Sequence, residues 1–280
     1  MLHGPAARLW RALPSQPLSK IGGGLWRGLV SSLRHGLEIY AHERRCAFCY
    51  TPFMPPAPAD DVRMALLCPA CAERMRPAAP GCPLCGRPLP YVSMTPAAPC
   101  GACLVSPPPW EALAFHGRYE NALRQALVRF KFGNEFSLIP LLGGLLAAAA
   151  RRLPPCDAVV PVPRHPLRLR DRGFNQVQEL ARVVAARQKL PLANDMLART
   201  RHTQPQTSLP ARQRRSNPQG SFAARRVRGL RLLLLDDVIT TGATARHAAM
   251  ALKEAGAVSV HVAVAAAVSP LPLDKDFPFG

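Results

Sequence analysis

From Trp110 onward, apolar positions recur in two alternating rhythms. Leu123, Ala126, Leu127 and Phe130 fall on one stripe at helical spacing and predict an amphipathic helix over residues 119–130. Residues 138–152 predict a second, nearly all-apolar helix, with Pro140 in the first turn, where a missing N–H is tolerated. Short unbroken apolar runs at 157–162, 229–235 and 258–265 predict strands buried on both faces, and 174–189 predicts a helix between the first two. Strands alternating with helices imply a parallel sheet flanked by helices, an α/β fold class.

The first 110 residues lack that rhythm. In residues 1–40, Trp10, Leu13, Leu25, Trp26, Leu29, Val30, Leu33 and Leu37 lie among arginines with one acid, Glu38. They suit basic amphipathic segments that touch a membrane surface or a partner, a poorly ordered leader, or an extension upstream of the true start. Residues 41–110 hold fifteen prolines and end in Pro107-Pro108-Pro109, a stiff linker. The expected divisions are therefore 1–40, 41–108, 109–268 and a tail over 269–280. The longest apolar stretches, 138–150 and 256–267, are shorter than the ~20 residues that span a bilayer, so no transmembrane segment is expected. No secretory signal is legible, which points to a cytoplasmic protein.

Eight of the nine cysteines form four C-x-x-C knuckles: Cys46/Cys49, Cys68/Cys71, Cys82/Cys85 and Cys100/Cys103. Two knuckles complete a tetrahedral Cys₄ shell, and these spacings suit zinc ribbons. We expect one structural Zn²⁺ on Cys46, Cys49, Cys68 and Cys71 and another on Cys82, Cys85, Cys100 and Cys103, with crossed pairing as the alternative. Gly86 can turn the chain under the metal. Disulfides would need an oxidising compartment, and redox C-x-x-C pairs normally sit on a βαβ frame rather than in Pro-rich coil. Cys156 is unpaired and reads as a small buried residue or a bystander.

The strand ending in Leu232–Leu235 runs into Asp236 and Asp237, then Thr240-Thr241-Gly242-Ala243-Thr244, then a helix. Ligands of parallel sheets bind at the carboxyl ends of strands. A Thr/Gly loop at a helix start offers N–H groups and hydroxyls to a phosphate. Carboxylates before it suit a polyol or an Mg²⁺ bound to one. The segment reads as a sugar-phosphate cradle. Its plain alternative, threonines capping a helix, leaves the acid pair and two of the threonines unexplained.

Charge strengthens that picture. The chain carries 36 basic and 17 acidic residues, a net charge of +19, and residues 161–231 alone hold sixteen basic against three acidic. Such a surplus favours polyanions. Part of it leaves the strand end at Pro163 as Arg164, His165, Arg168, Arg170 and Arg172, where guanidinium forks suit phosphate. Asn175 is equally a helix cap. The polar, basic stretch through Arg212, Arg215, Asn217, Gly220 and Phe222 is too long for an idle loop and suits a lid that excludes water.

The strand, acid pair and T-T-G-A-T loop resemble the phosphoribosyl pyrophosphate (PRPP) motif of type I phosphoribosyltransferases. The four knuckles, V-P-V-P, R-G-F-N-Q, the R-x-x-R-x-N-x-x-G-x-F segment and D-D-V-I-T-T-G-A-T occur in this order in ComF-type proteins, which this chain resembles from about Cys46 to Ala267. The resemblance implies a type I phosphoribosyltransferase fold behind a double zinc ribbon. It implies Mg²⁺-PRPP as ligand, with Asp236 and Asp237 on the ribose, Thr240, Thr241, Gly242, Ala243 and Thr244 on the 5′-phosphate, and Arg164, His165, Arg172, Arg212 and Arg215 toward pyrophosphate and lid. The short tail leaves little chain for a nucleobase-recognising hood. Pentosyl transfer is one implied activity. A non-catalytic protein of natural competence that binds single-stranded DNA and the competence machinery is another, although aromatic residues, at 6%, leave few stacking platforms. A PRPP-sensing regulator is a third.

Overall fold

The computed structural model describes residues 44–56, 61–89, 98–163, 175–199 and 222–268. All of them belong to one compact unit. The expectations for the leader at 1–40, the tail at 269–280, and Arg164, His165, Arg172, Arg212 and Arg215 lie outside the described residues.

In chain order the elements are β1 (Arg44–Arg45), β2 (Pro52–Phe53), α1 (Val62–Leu66), α2 (Pro69–Arg74), α3 (Gly101–Val105), β3 (Ala112–Arg118), α4 (Asn121–Phe132), a 3₁₀ turn (Phe136–Leu138), α5 (Ile139–Ala150), β4 (Ala158–Pro161), α6 (Gln176–Gln188), β5 (Leu197–Arg199), β6 (Phe222–Ala224), β7 (Arg231–Ile239), α7 (Ala243–Glu254) and β8 (Ser259–Ala267). The main sheet is parallel with order β3-β8-β7-β4. β1 pairs with β2, and β5 with β6, as short antiparallel ribbons.

Alternation along the central strands sorts the core into two layers. Leu233, Leu235, Ala263 and Ala265 pack with the apolar faces of α4, α5 and α6. Leu232, Leu234, Val260, Val262 and Val264 pack with Ala245, Ala248, Ala249 and Leu252 of α7. Each layer also incorporates one group of knuckles: Cys46, Cys68 and Cys71 join the first, and Cys82, Cys85, Cys100 and Cys103 the second. The cysteine region thus rests on the sheet's two cores rather than on one of its own. Trp110 lies in the second layer, and its Nε1 donates to the Leu84 carbonyl at 2.8 Å.

The sheet and its helices agree with the hydrophobic rhythm in their order, with differences in detail. β7 continues through the acid pair to Ile239, because β8 supplies pairing partners as far as Ala267. β3 was not legible: Ala-Leu-Ala-Phe-His-Gly-Arg has no β-branched residue, and its place beside β8 decides its state. The cysteine region is not plain coil. Pro69 starts α2 in its first turn, and Cys68 and Cys100 occupy the N-cap positions of α2 and α3. Finally, α4 runs two residues past Phe130. Among the described residues no helix is long and apolar enough to cross a membrane.

Candidate functional site

The two cysteine groups assemble as same-order pairs, not crossed ones. Within each group the Sγ atoms lie within 4.8 Å of one another. Cys49 and Cys68 Sγ are 3.7 Å apart, as are Cys85 and Cys100 Sγ. A Zn–S bond of about 2.3 Å gives a tetrahedral edge of about 3.8 Å, so the donor sets fit zinc. Each group joins a tight turn to a helix start. Tyr50 N bonds to Cys46 O at 2.9 Å and Gly86 N to Cys82 O at 2.8 Å. The residues that close these turns have positive φ, +71° at Gly86 and +64° at Tyr50, so the first knuckle accepts a strained tyrosine where the second uses glycine. Burial and the neighbouring thiols push Cys71 and Cys103 well up, while the Thr51 hydroxyl and amide hold Cys49 down to about 6. A divalent metal removes that conflict by taking four thiolates and releasing protons. Cys49 is exposed, whereas all four thiols of the second group are buried.

The second constellation sits at the carboxyl edge of the main sheet. Pro161 pairs with Leu235, and Val162 N bonds to Leu235 O at 2.8 Å, so the chain leaving β4 opens beside the acids of β7. Asp237 is buried and Asp236 half-buried, as alternation dictates. The Asp236 carboxylate accepts from the Asp237 amide at 2.8 Å.

Beyond Ile239 the chain turns through exposed Thr240 and Thr241 to Gly242, whose φ of +80° is open to glycine at no steric cost. α7 starts at Ala243, two residues earlier than the sequence suggests, so Ala243 and Thr244 belong to its first turn. Gly242 is the N-cap, and one residue before it Thr241 Oγ1 accepts from Ala243 N at 3.3 Å across the turn. The hydroxyl-bearing Thr240 and Thr244 also reach solvent at the positive end of the helix dipole. In the same turn His247 Nδ1 lies 2.7 Å from Ala243 O. A carbonyl only accepts, so that nitrogen carries the proton, and burial depresses the imidazole's pKa.

Sequence reasoning missed Lys131. Its Nζ lies 2.7 Å from Asp237 Oδ1. The signal was present: Leu123, Leu127 and Lys131 recur every four residues, so this lysine continues an apolar stripe. Asn175 proves to be the N-cap of α6, accepting from Val177 N at 3.2 Å. Its neighbour Gln176 is fully buried and donates to the Lys131 carbonyl at 2.8 Å.

Comparison with known proteins finds relatives over most of the chain. The family "Phosphoribosyl transferase domain" matches residues 167–279. Competence protein F of Haemophilus influenzae is 32% identical over 208 residues, covering 70% of this chain and 88% of that protein. The DNA utilization protein YhgH of Salmonella typhi is 34% identical over 203 residues, with the same two coverages of 70% and 88%. Competence protein ComFC of Bacillus subtilis is 27% identical over 190 residues, 62% of this chain and 72% of that one. Among solved structures, the glutamine PRPP amidotransferase of B. subtilis covers 43% of this chain and 24% of its own, at 26% identity and a TM-score of 0.30. On the identity and length it shares with these relatives, the chain belongs to the family of competence protein F and the YhgH DNA utilization proteins, with a phosphoribosyl transferase domain in its C-terminal part.

Proposed function

We propose that this chain is a cytoplasmic PRPP-binding protein with a type I phosphoribosyltransferase fold over residues 109–268 and a double zinc ribbon over 41–108, serving DNA uptake or its nucleotide economy. One observation carries the reading: the two acids at the end of β7 stand one short loop before the start of α7, where Gly242 turns and Thr240, Thr241 and Thr244 present hydroxyls. The 5′-phosphate sits on Thr240, Thr241, Gly242, Ala243 and Thr244, and Asp236 and Asp237 meet the ribose hydroxyls. The hard carboxylate oxygens of Asp236 and Asp237 would suit an Mg²⁺ bound with the sugar phosphate, and it would supply screening of the pyrophosphate charge. Arg164, His165, Arg172, Arg212 and Arg215 supply cations toward pyrophosphate and the lid. In pentosyl transfer, the carboxylates face the positive charge that grows at C1 as pyrophosphate departs, so the work of these residues is positioning and electrostatics.

The names of the relatives, which speak of competence and DNA utilization, support a place in DNA handling. They also support a second reading, in which the basic surface binds single-stranded DNA and the fold serves as a scaffold.

Calorimetric titration of the zinc-loaded protein with PRPP, with and without Mg²⁺, separates the two. Mg²⁺-dependent binding that disappears in Asp236→Asn/Asp237→Asn supports the first reading. Its absence in the wild type, together with single-stranded DNA binding that falls steeply with salt, supports the second.

A further inference from the structure

An amphipathic helix usually turns the basic residues of its last turn to solvent, where they complement the dipole. Lys131 does not. Its side chain is 18% exposed, and Asp237, its partner at 2.7 Å, is 6% exposed. The backbone beneath it is held from two sides. Gln176 Nε2, fully buried, donates to the carbonyls of Lys131 at 2.8 Å and Phe130 at 3.5 Å. Two residues earlier in α4, Arg129 Nη1 donates to Phe48 O of the first cysteine knuckle at 2.7 Å. The ammonium is therefore placed by the start of α6 and by the first cysteine group, and it is delivered to one particular carboxylate.

Resting on the Mg²⁺-PRPP reading above, we propose that Lys131 is a positioning residue that acts as the built-in counter-ion of Asp237 and makes cation binding at the acid pair conditional on PRPP. Two adjacent carboxylates at a strand end would by themselves attract a divalent cation. With the lysine paired to Asp237, the negative charge that a cation would meet there is reduced. PRPP brings anionic oxygens of its own, so metal and sugar phosphate arrive together. The ion pair also holds the Asp237 carboxylate in one orientation for the ribose.

Full-length zinc-loaded wild type, Lys131→Met and Lys131→Arg are titrated with Mn²⁺ while the free ion is followed by electron paramagnetic resonance, with PRPP present or absent. Calorimetry with Mg²⁺-PRPP runs in parallel. Lys131→Met is expected to bind Mn²⁺ without PRPP roughly tenfold more tightly than the wild type and to lose roughly tenfold in Mg²⁺-PRPP affinity, a conservative figure for breaking a buried pair. Lys131→Arg keeps the charge and returns both values to within about threefold. Adding Asp237→Asn to Lys131→Met removes the gained Mn²⁺ affinity. Gln176→Ala, which frees the helix end but spares the lysine, shifts both readouts the same way by a smaller factor and serves if Lys131→Met does not fold. A lysine that mattered only for folding would weaken PRPP binding without strengthening Mn²⁺ binding. Unchanged Mn²⁺ affinity in Lys131→Met, with wild type binding Mg²⁺-PRPP, overturns the inference alone. A wild type that binds no PRPP with or without Mg²⁺ overturns the parent reading and this inference with it.

Discussion

Arg129 is the chief polar tie between the first cysteine group and α4, and its removal has a calculable cost. The guanidinium grips Glu135 with two bonds of 2.6 Å, donates to Phe48 O at 2.7 Å, and reaches the Tyr50 hydroxyl at 3.2 Å. It also lies over the rings of Phe48 at 5.0 Å and Tyr50 at 5.6 Å. Arg129 and Glu135 side chains are 32% and 20% exposed, so the ion pair is discounted to about 1 kcal/mol. The charged bond to a carbonyl contributes about 1.5 kcal/mol, and the ring contacts about 0.5 kcal/mol. Such terms do not add fully, so Arg129→Ala should cost about 2–3 kcal/mol, mostly as easier opening of the first knuckle. Release of metal through that opening should then be roughly 30- to 150-fold faster. The assay is chelator-driven zinc release followed by a colorimetric dye. The wild type should release its first zinc from the Cys46 group, where Cys49 is exposed, and Arg129→Ala should accelerate that phase alone. Equal acceleration of both phases, or of neither, would refute the reasoning.

The remaining predictions concern packing and pH. A Cβ on Gly143 of α5 would lie 2.7 Å from Val183 Cβ on α6. Gly143→Ala gains up to about 1 kcal/mol in helix propensity but overpacks by about 1–3 kcal/mol, so the net effect is destabilising. Adding Val183→Ala should relieve the clash, and denaturant midpoints of the single and double variants read the coupling. His116 is buried, with Nε2 2.8 Å from Met75 O, and burial depresses its pKa. A depressed histidine leaves stability untouched above its unfolded pKa of about 6.5 and lowers it as pH falls below, by up to about 1.4 kcal/mol per pH unit. His116→Gln keeps a donor to the carbonyl, so the difference in stability between it and wild type, measured by urea unfolding at constant zinc, should change between pH 7 and pH 5. An unchanged difference would show that His116 charges freely in the folded state.

The amino-acid sequence determines much of this protein because much of it is local or periodic. Short apolar runs bounded by turn residues suit strands buried on both faces, and Leu232–Leu235 and the run over 258–265 behave so in β7 and β8. Cysteine spacing of two residues forms a knuckle wherever the chain goes, and a Gly at position 242 between threonines turns before a helix. Spacing alone leaves the pairing of knuckles open, and the fold decides it, first with second and third with fourth. What tertiary structure alone decides is which surfaces meet. β3 is a strand because β8 offers it an edge, not because its residues prefer one. The acid pair stays within β7 because its neighbour keeps pairing, and that continuation sends Asp237 inward. Each cysteine group is built into the core on one face of the sheet, an arrangement no spacing could reveal. Lys131, a residue of ordinary appearance at a helix end, becomes part of the site only because Gln176 and the first knuckle fix where α4 stops. Its charge then finds Asp237, more than a hundred residues away in sequence, because burial makes an unpaired carboxylate costly and the fold brings this lysine within reach.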